Sequence, residues 1–180
     1  MPYIILLPSA DGTISSDWVI GGSPSAAEHY LSLDDDNGDT SFVACDDGAE
    51  TMIIEFANPS VAEADIDFNE TVSVRFLSSG RSTDRRNASS VVIGYHVPST
   101  SAFNETCSYD AHASSYESIS GTIRTTSDGS TDWTYSDLED LEMICTKFGT
   151  QNIQLSYLAL RVDYTEAAAA DNATFFGANF

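Results

Sequence analysis

The stretch DIDFNETVSVRFL, residues 65–77, decides how this chain is read. Ile66, Phe68, Val72, Val74 and Phe76 fall on one side of an extended backbone, and Asp65, Asp67, Thr71, Ser73 and Arg75 on the other. Such alternation sets one face against a core and the other in water, so it specifies a half-buried β-strand.

Outward from there the same pattern recurs. ETMIIEFA (50–57) groups Met52, Ile54 and Phe56, and SVVIGYHV (90–97) reads as a strand closed by Pro98. ESISGTIRTT (117–126) is polar and β-branched, as an exposed strand would be. NIQLSYLALRVDY (152–164) is the last long strand; apolar side chains on both faces of its second half predict a central place or cover by a neighbour. Turn clusters separate these runs at Asp11-Gly12, Gly21 to Pro24, Asp34 to Asp39, Asp46 to Gly48, Ser78 to Arg81 and Ser127 to Ser130. Helix signals are few. Ser136 can cap a short turn through Asp137, Leu138, Leu141 and Met143, with Glu139 completing a capping box, and Ser25 to Leu31 can form another. The expected fold is all-β, a jelly-roll-like antiparallel β-sandwich with one or two short helical turns. It is expected as one domain over residues 1–165, with 1–8 as an apolar arm or edge strand and 166–180 as a C-terminal tail.

Twenty-eight acidic side chains face seven basic ones in 180 residues, a formal net charge of −21, and Lys147 is the only lysine. Such a chain repels itself in dilute buffer, but at molar salt the Debye length falls to about 3 Å, so the composition suits a salty cytoplasm. With 42% hydrophobic and 11% aromatic residues, a core can form. The charge argues against nucleic acid, which demands clustered Lys and Arg. Only Arg81, Arg85 and Arg86 cluster, in a Ser-rich loop beside Asp84. No apolar run approaches the roughly 20 residues of a membrane span. The run Tyr3 to Leu7 follows no basic residue and is shorter than the apolar core of a signal peptide, so export is not expected. Cys45, Cys107 and Cys145 are too widely spaced for a zinc site and read as buried thiols, with a Cys107–Cys145 bridge left open. The sequons at Asn69, Asn87, Asn104 and Asn172 read as mostly accidental.

The order of segments resembles a known architecture. PSADGT leads to Trp18, a Tyr-x-Ser-Leu strand runs into DDDNGDTSFV, a strand ends VSVRF, and DWTYSDLEDLE precedes a strand ending RVDY. This is similar to the jelly-roll modules in virion proteins of tailed phages and archaeal viruses, over about residues 9–165. The resemblance implies a non-enzymatic structural protein, a capsid decoration or turret component of a haloarchaeal tailed virus. It would be made in the host cytoplasm and located in the virion. Its partners would be other copies of itself, a trimer ahead of a pentamer, and the major capsid protein or other virion proteins, with neither nucleic acid nor membrane. The apolar termini, Tyr3, Ile4, Ile5, Leu6 and Leu7 with Phe175, Phe176 and Phe180, are the candidate subunit-docking residues; for the tail, docking on a neighbour and folding back on its own sandwich stand as equal readings.

The alternative function is a carbohydrate-binding module of a fibre or cell-surface protein, with Trp18 and Trp133 as candidate sugar-stacking rings. Both tryptophans also read as core residues. No cofactor is required, but Asp35, Asn37, Asp39 and Asp46 form a candidate Ca²⁺ or Mg²⁺ site, since hard cations take several carboxylate oxygens from one loop. Thr40 stands where an EF-hand needs Gly, and no helices flank the loop, so the cluster is not an EF-hand. Catalytic signatures are absent: GGSPS lacks the last Gly of a nucleophile elbow, there is no HExxH, and His29, His96 and His112 are scattered.

Overall fold

The computed structural model describes residues 1–22, 28–34, 41–46, 50–83, 88–110, 115–148 and 151–168. The strands among the described residues are β1 (Tyr3–Leu6), β2 (Pro8–Ile14), β3 (Trp18–Gly22), β4 (Ser41–Cys45), β5 (Glu50–Phe56), β6 (Ser73–Ser82), β7 (Ser89–His96), β8 (Phe103–Tyr109), β9 (Glu117–Ser120), β10 (Glu142–Lys147) and β11 (Ile153–Asp163). They form two antiparallel sheets. The first runs β3-β4-β11-β6-β9, with β1 paired beside β11, and the second runs β2-β5-β10-β7-β8. The fold is a jelly-roll-like β-sandwich. Met52, Ile54, Phe56, Ile93, Tyr95, Met143 and Cys145 of the second sheet pack against Val74, Phe76, Leu155, Leu158, Leu160 and Val162 of the first in one core. Each fully buried aliphatic or aromatic side chain contributes about 1.5–3 kcal/mol relative to exposure.

Strand β11 is central, between β4 and β6, and its apolar character on both faces has a local cause. Its register against β6 slips between Leu155 and Tyr157, leaving Ser156 as an extra residue. A bulge of this kind reverses which side chains face inward. Ile153 and Leu155 are buried before it, Leu158, Leu160 and Val162 after it, so that Tyr157, Arg161 and Asp163 point outward.

Two buried tyrosines tie the sheets together. The Tyr95 hydroxyl on β7 donates to the Val74 carbonyl on β6 at 2.8 Å, and the Tyr109 hydroxyl on β8 shares a hydrogen bond with Ser78 Oγ on β6 at 2.9 Å. At one end, the Asp11 carboxylate accepts the backbone N–H groups of His29 and Tyr30, each at 2.8 Å, and meets His29 Nδ1 at 2.9 Å. Burial pushes this carboxyl up, but the bonds from His29 and Tyr30 outweigh that and hold it below its ordinary value.

Several local expectations are corrected. The 65–77 run is not one strand: Glu63–Asp65 is a 3₁₀ turn and the strand begins at Ser73. Ile66 and Val72 are nevertheless buried and Phe68 packs against the core. Ser78 to Arg81 is no turn but the body of β6, because small residues fit beneath Tyr109 where a longer side chain would collide. Asp11-Gly12 lies inside β2, an edge strand with two register shifts against β5. The Tyr-x-Ser-Leu segment is a 3₁₀ turn at Tyr30–Ser32. The exposed strand at 117–126 stops at Ser120. The helix covers Tyr135–Glu139 (α1); its cap is Thr134, boxed with Asp137, instead of Ser136 with Glu139, and Met143 belongs to β10.

Candidate functional site

The two outer faces of the sandwich differ in chemistry. On the second sheet, Ile53, Ile144, Gly94 and Asn104 lie in one cross-strand row, and Thr51, Thr146, Val92 and Thr106 in the next. Six of these eight residues are β-branched, and none is Phe, Tyr or Trp.

The first sheet presents rings and cations. Its outward rows are Tyr3 with Asp163; Ile5, Arg161 and Arg75; Ala159, Leu77 and Ser120; Tyr157, Ser79 and Ser118; and Ala44, Gln154 and Arg81. The Arg161 guanidinium stacks over the Tyr3 ring at 4.1 Å and donates to Asp163 through Nη2 at 2.6 Å and Nε at 3.0 Å. Arg81 lies over the Tyr116 ring at 4.7 Å and donates through Nε to Gln154 Oε1 at 2.8 Å, which also accepts from the Tyr116 hydroxyl at 3.3 Å. Stacking and hydrogen bonding hold these two guanidinium groups in fixed orientations. Phe42 on β4 covers Gly21 on β3, where a Cβ would overlap the ring. Tyr157 is half-exposed at the middle of the face and Tyr3 is 54% exposed.

Arg75 is different. It sits directly across from Arg161, no carboxylate pairs with it among the described residues, and its Nε is buried without a hydrogen-bond partner.

The site residues expected from the sequence fall elsewhere. Trp18 and Trp133 are each only 2% exposed, so neither indole presents a ring to a sugar. This corrects their stacking role: both side chains are needed to fill the core, and Trp133 Nε1 donates to the Arg124 carbonyl at 3.1 Å. Ile4 and Leu6 are also removed as docking residues, because β1 pairs with β11 and turns both inward against the core. Tyr3 and Leu7 are exposed and Ile5 is half-buried. Phe175, Phe176 and Phe180 lie outside the described residues, as do Asp35, Asn37 and Asp39 of the cation loop. Asp46 is exposed after β4, and no group of three or more His, Cys, Asp or Glu among the described residues could hold a metal. Arg81 is a strand residue, not part of a loop cluster; Arg85 and Arg86 lie outside the described residues. The three cysteines are buried and none is in a disulfide.

Arg75, Arg81, Tyr116, Gln154, Tyr157 and Arg161 were not legible as a group. Their shared face depends on the Ser156 bulge and on pairings between residues far apart in the chain, such as Arg75 with Arg161. The available signal was local: Arg75 and Arg81 fall at outward positions of β6.

No known protein family and no curated protein matches this chain. Solved structures with a similar arrangement of strands include CBM32 of AlyQ in complex with 4,5-unsaturated mannuronic acid, at 11% identity over 84% of this chain and 98% of that one, TM-score 0.44. Another is TmCBM61 in complex with β-1,4-galactotriose, at 8% identity over 81% of this chain and 88% of that one, TM-score 0.41. A third is the family 11 carbohydrate-binding module from Clostridium thermocellum in complex with a mixed-linked tetrasaccharide, at 10% identity over 87% and 95%, TM-score 0.39. At these values the likenesses carry no argument about ligand or role.

Proposed function

We propose that this chain is a non-catalytic glycan-binding β-sandwich module, and that it binds through the outer face of the β3-β4-β11-β6-β9 sheet. The observation that carries the reading is the gathering of Tyr3, Phe42, Tyr116 and Tyr157 with Arg75, Arg81, Arg161 and Gln154 on that one face, against central rows of the opposite face that hold no Phe, Tyr or Trp among the described residues. Sugar rings have apolar C–H faces that lie on aromatic rings, and equatorial hydroxyls that meet planar donors and acceptors. Arg and Gln side chains held in place by Tyr116 and Asp163 supply such groups on a rigid sheet, without ordering a loop on binding.

Binding to an array of plant, algal and microbial glycans tests the reading. Tyr157→Ala is expected to abolish retention of the glycans that the native protein holds, with an unchanged circular dichroism spectrum. Thr146→Ala on the opposite face is expected to leave retention intact. Retention that survives Tyr157→Ala and disappears with Thr146→Ala would overturn the placement; no retention of any glycan would overturn the function.

A further inference from the structure

We infer that the glycan recognised by this face carries a carboxylate, as a uronic-acid polymer does, and that Arg75 receives it; the inference rests on the glycan-binding reading above. It starts from an imbalance. The chain has 28 carboxylate side chains against seven cations, so partners for every cation are plentiful. Arg124 pairs with Glu105 at 3.3 Å and Arg161 with Asp163 at 2.6 Å. Lys147 is fully buried, away from the surface. Arg75, near the start of β6, has no such partner among the described residues, and its Nε is buried and unbonded.

Position makes this more costly. Arg75 is the cross-strand partner of Arg161, and like charges directly opposite one another destabilise a sheet. Asp163 satisfies Arg161 and leaves Arg75 as the uncompensated charge of the pair. An arginine kept where it lowers stability is a ligand group awaiting its counter-ion. A guanidinium presents parallel N–H donors that match the two oxygens of a carboxylate, which a hydroxyl group matches less well. Tyr157 stands two rows along the same face, so a sugar stacked there places a neighbouring residue of the chain over Arg75.

Calorimetry with polygalacturonate and alginate, each compared with its esterified form, and with neutral xylan, tests the inference. Esterification removes the charge and keeps the sugar. The native protein is expected to bind at least one acid polymer, and its ester roughly 10- to 100-fold more weakly, the weight of a charge-assisted hydrogen bond. Arg75→Gln is expected to lose the same factor for the acid polymer and none for the ester, with a melting temperature no lower than that of the native protein. Arg75→Lys, which keeps charge without the planar fork, is expected to recover only part of the loss. Equal binding of acid and ester, or full binding of the acid by Arg75→Gln, would overturn the carboxylate inference; if Tyr157→Ala still removed binding, the glycan face itself would stand. A lower melting temperature for Arg75→Gln with unchanged binding would make Arg75 structural and overturn the inference too. Failure of every polymer, acid and neutral, to bind would overturn both readings.

Discussion

The Arg161 guanidinium lies 4.1 Å from the centroid of the Tyr3 ring, while two of its nitrogens hold the Asp163 carboxylate. The contact links the first strand to the last, since β1 pairs with β11 over Tyr3–Leu6. It also fixes one corner of the face proposed to bind glycan. Asp163→Asn therefore has separable effects. A partly exposed ion pair contributes about 0–1 kcal/mol, so stability measured by urea denaturation is expected to fall by no more than that. Glycan affinity is expected to fall further, because Arg161 loses its fixed orientation.

The two inter-sheet hydroxyls are not equivalent. The Val74 carbonyl that accepts from Tyr95 also accepts the Arg124 N–H at 2.8 Å. Tyr95→Phe leaves that carbonyl satisfied and is expected to cost about 0.5–1.5 kcal/mol. Ser78 Oγ is buried and has the Tyr109 hydroxyl as its partner. Tyr109→Phe strands it, so a larger loss of about 1–3 kcal/mol is expected. Chemical denaturation of the two variants side by side checks the order. Equal losses would mean that Ser78 finds another partner.

Cys107 is buried, and burial raises its thiol to about 12; burial raises Cys145 as well. Thiolate is the reactive form, so the native protein is expected to resist aromatic disulfide reagents at pH 8. All three thiols are expected to react in guanidinium. Rapid reaction of any thiol in the native state would contradict the packing of that strand.

Asp128 accepts hydrogen bonds from the backbone N–H groups of Thr131 and Ser130 at 2.7 and 2.8 Å. Those bonds, with the two hydroxyls, lower its carboxyl from 3.8 to about 2. A lowered carboxyl stabilises the fold fully above its unfolded value and loses that contribution as pH falls through the folded value. The 127–131 turn is therefore expected to keep its amide shifts down to pH 3 and to change near pH 2, followed by NMR. Asp128→Ala is expected to remove that transition.

The sandwich was legible because strands β5, β7 and β11 carry strong apolar periodicity within short spans. Strand β8 was not, since Glu105 occupies an inward position of FNETCSY, and it belongs there only because Arg124 meets it at the sheet edge. The helix is capped two residues before Ser136, because Thr134 and Asp137 close the capping box and Ser136 lies within the first turn. The tryptophans drew attention as rare large rings, yet their size is what the core uses. The candidate face was hidden for the opposite reason. Arg75, Tyr157 and Arg161 look like ordinary outward residues until one bulge at Ser156 and the β6–β11 register bring them together.

Backbone amide mapping by NMR, with a panel of neutral and uronate oligosaccharides, locates the glycan face. Shift changes for a bound oligosaccharide are expected to cluster at residues 3–5, 75–81 and 154–163, with the largest near Arg75 and Tyr157. Changes confined to residues 51–55, 92–94 and 144–146 of the opposite face, or no changes with any oligosaccharide, would contradict the proposed face.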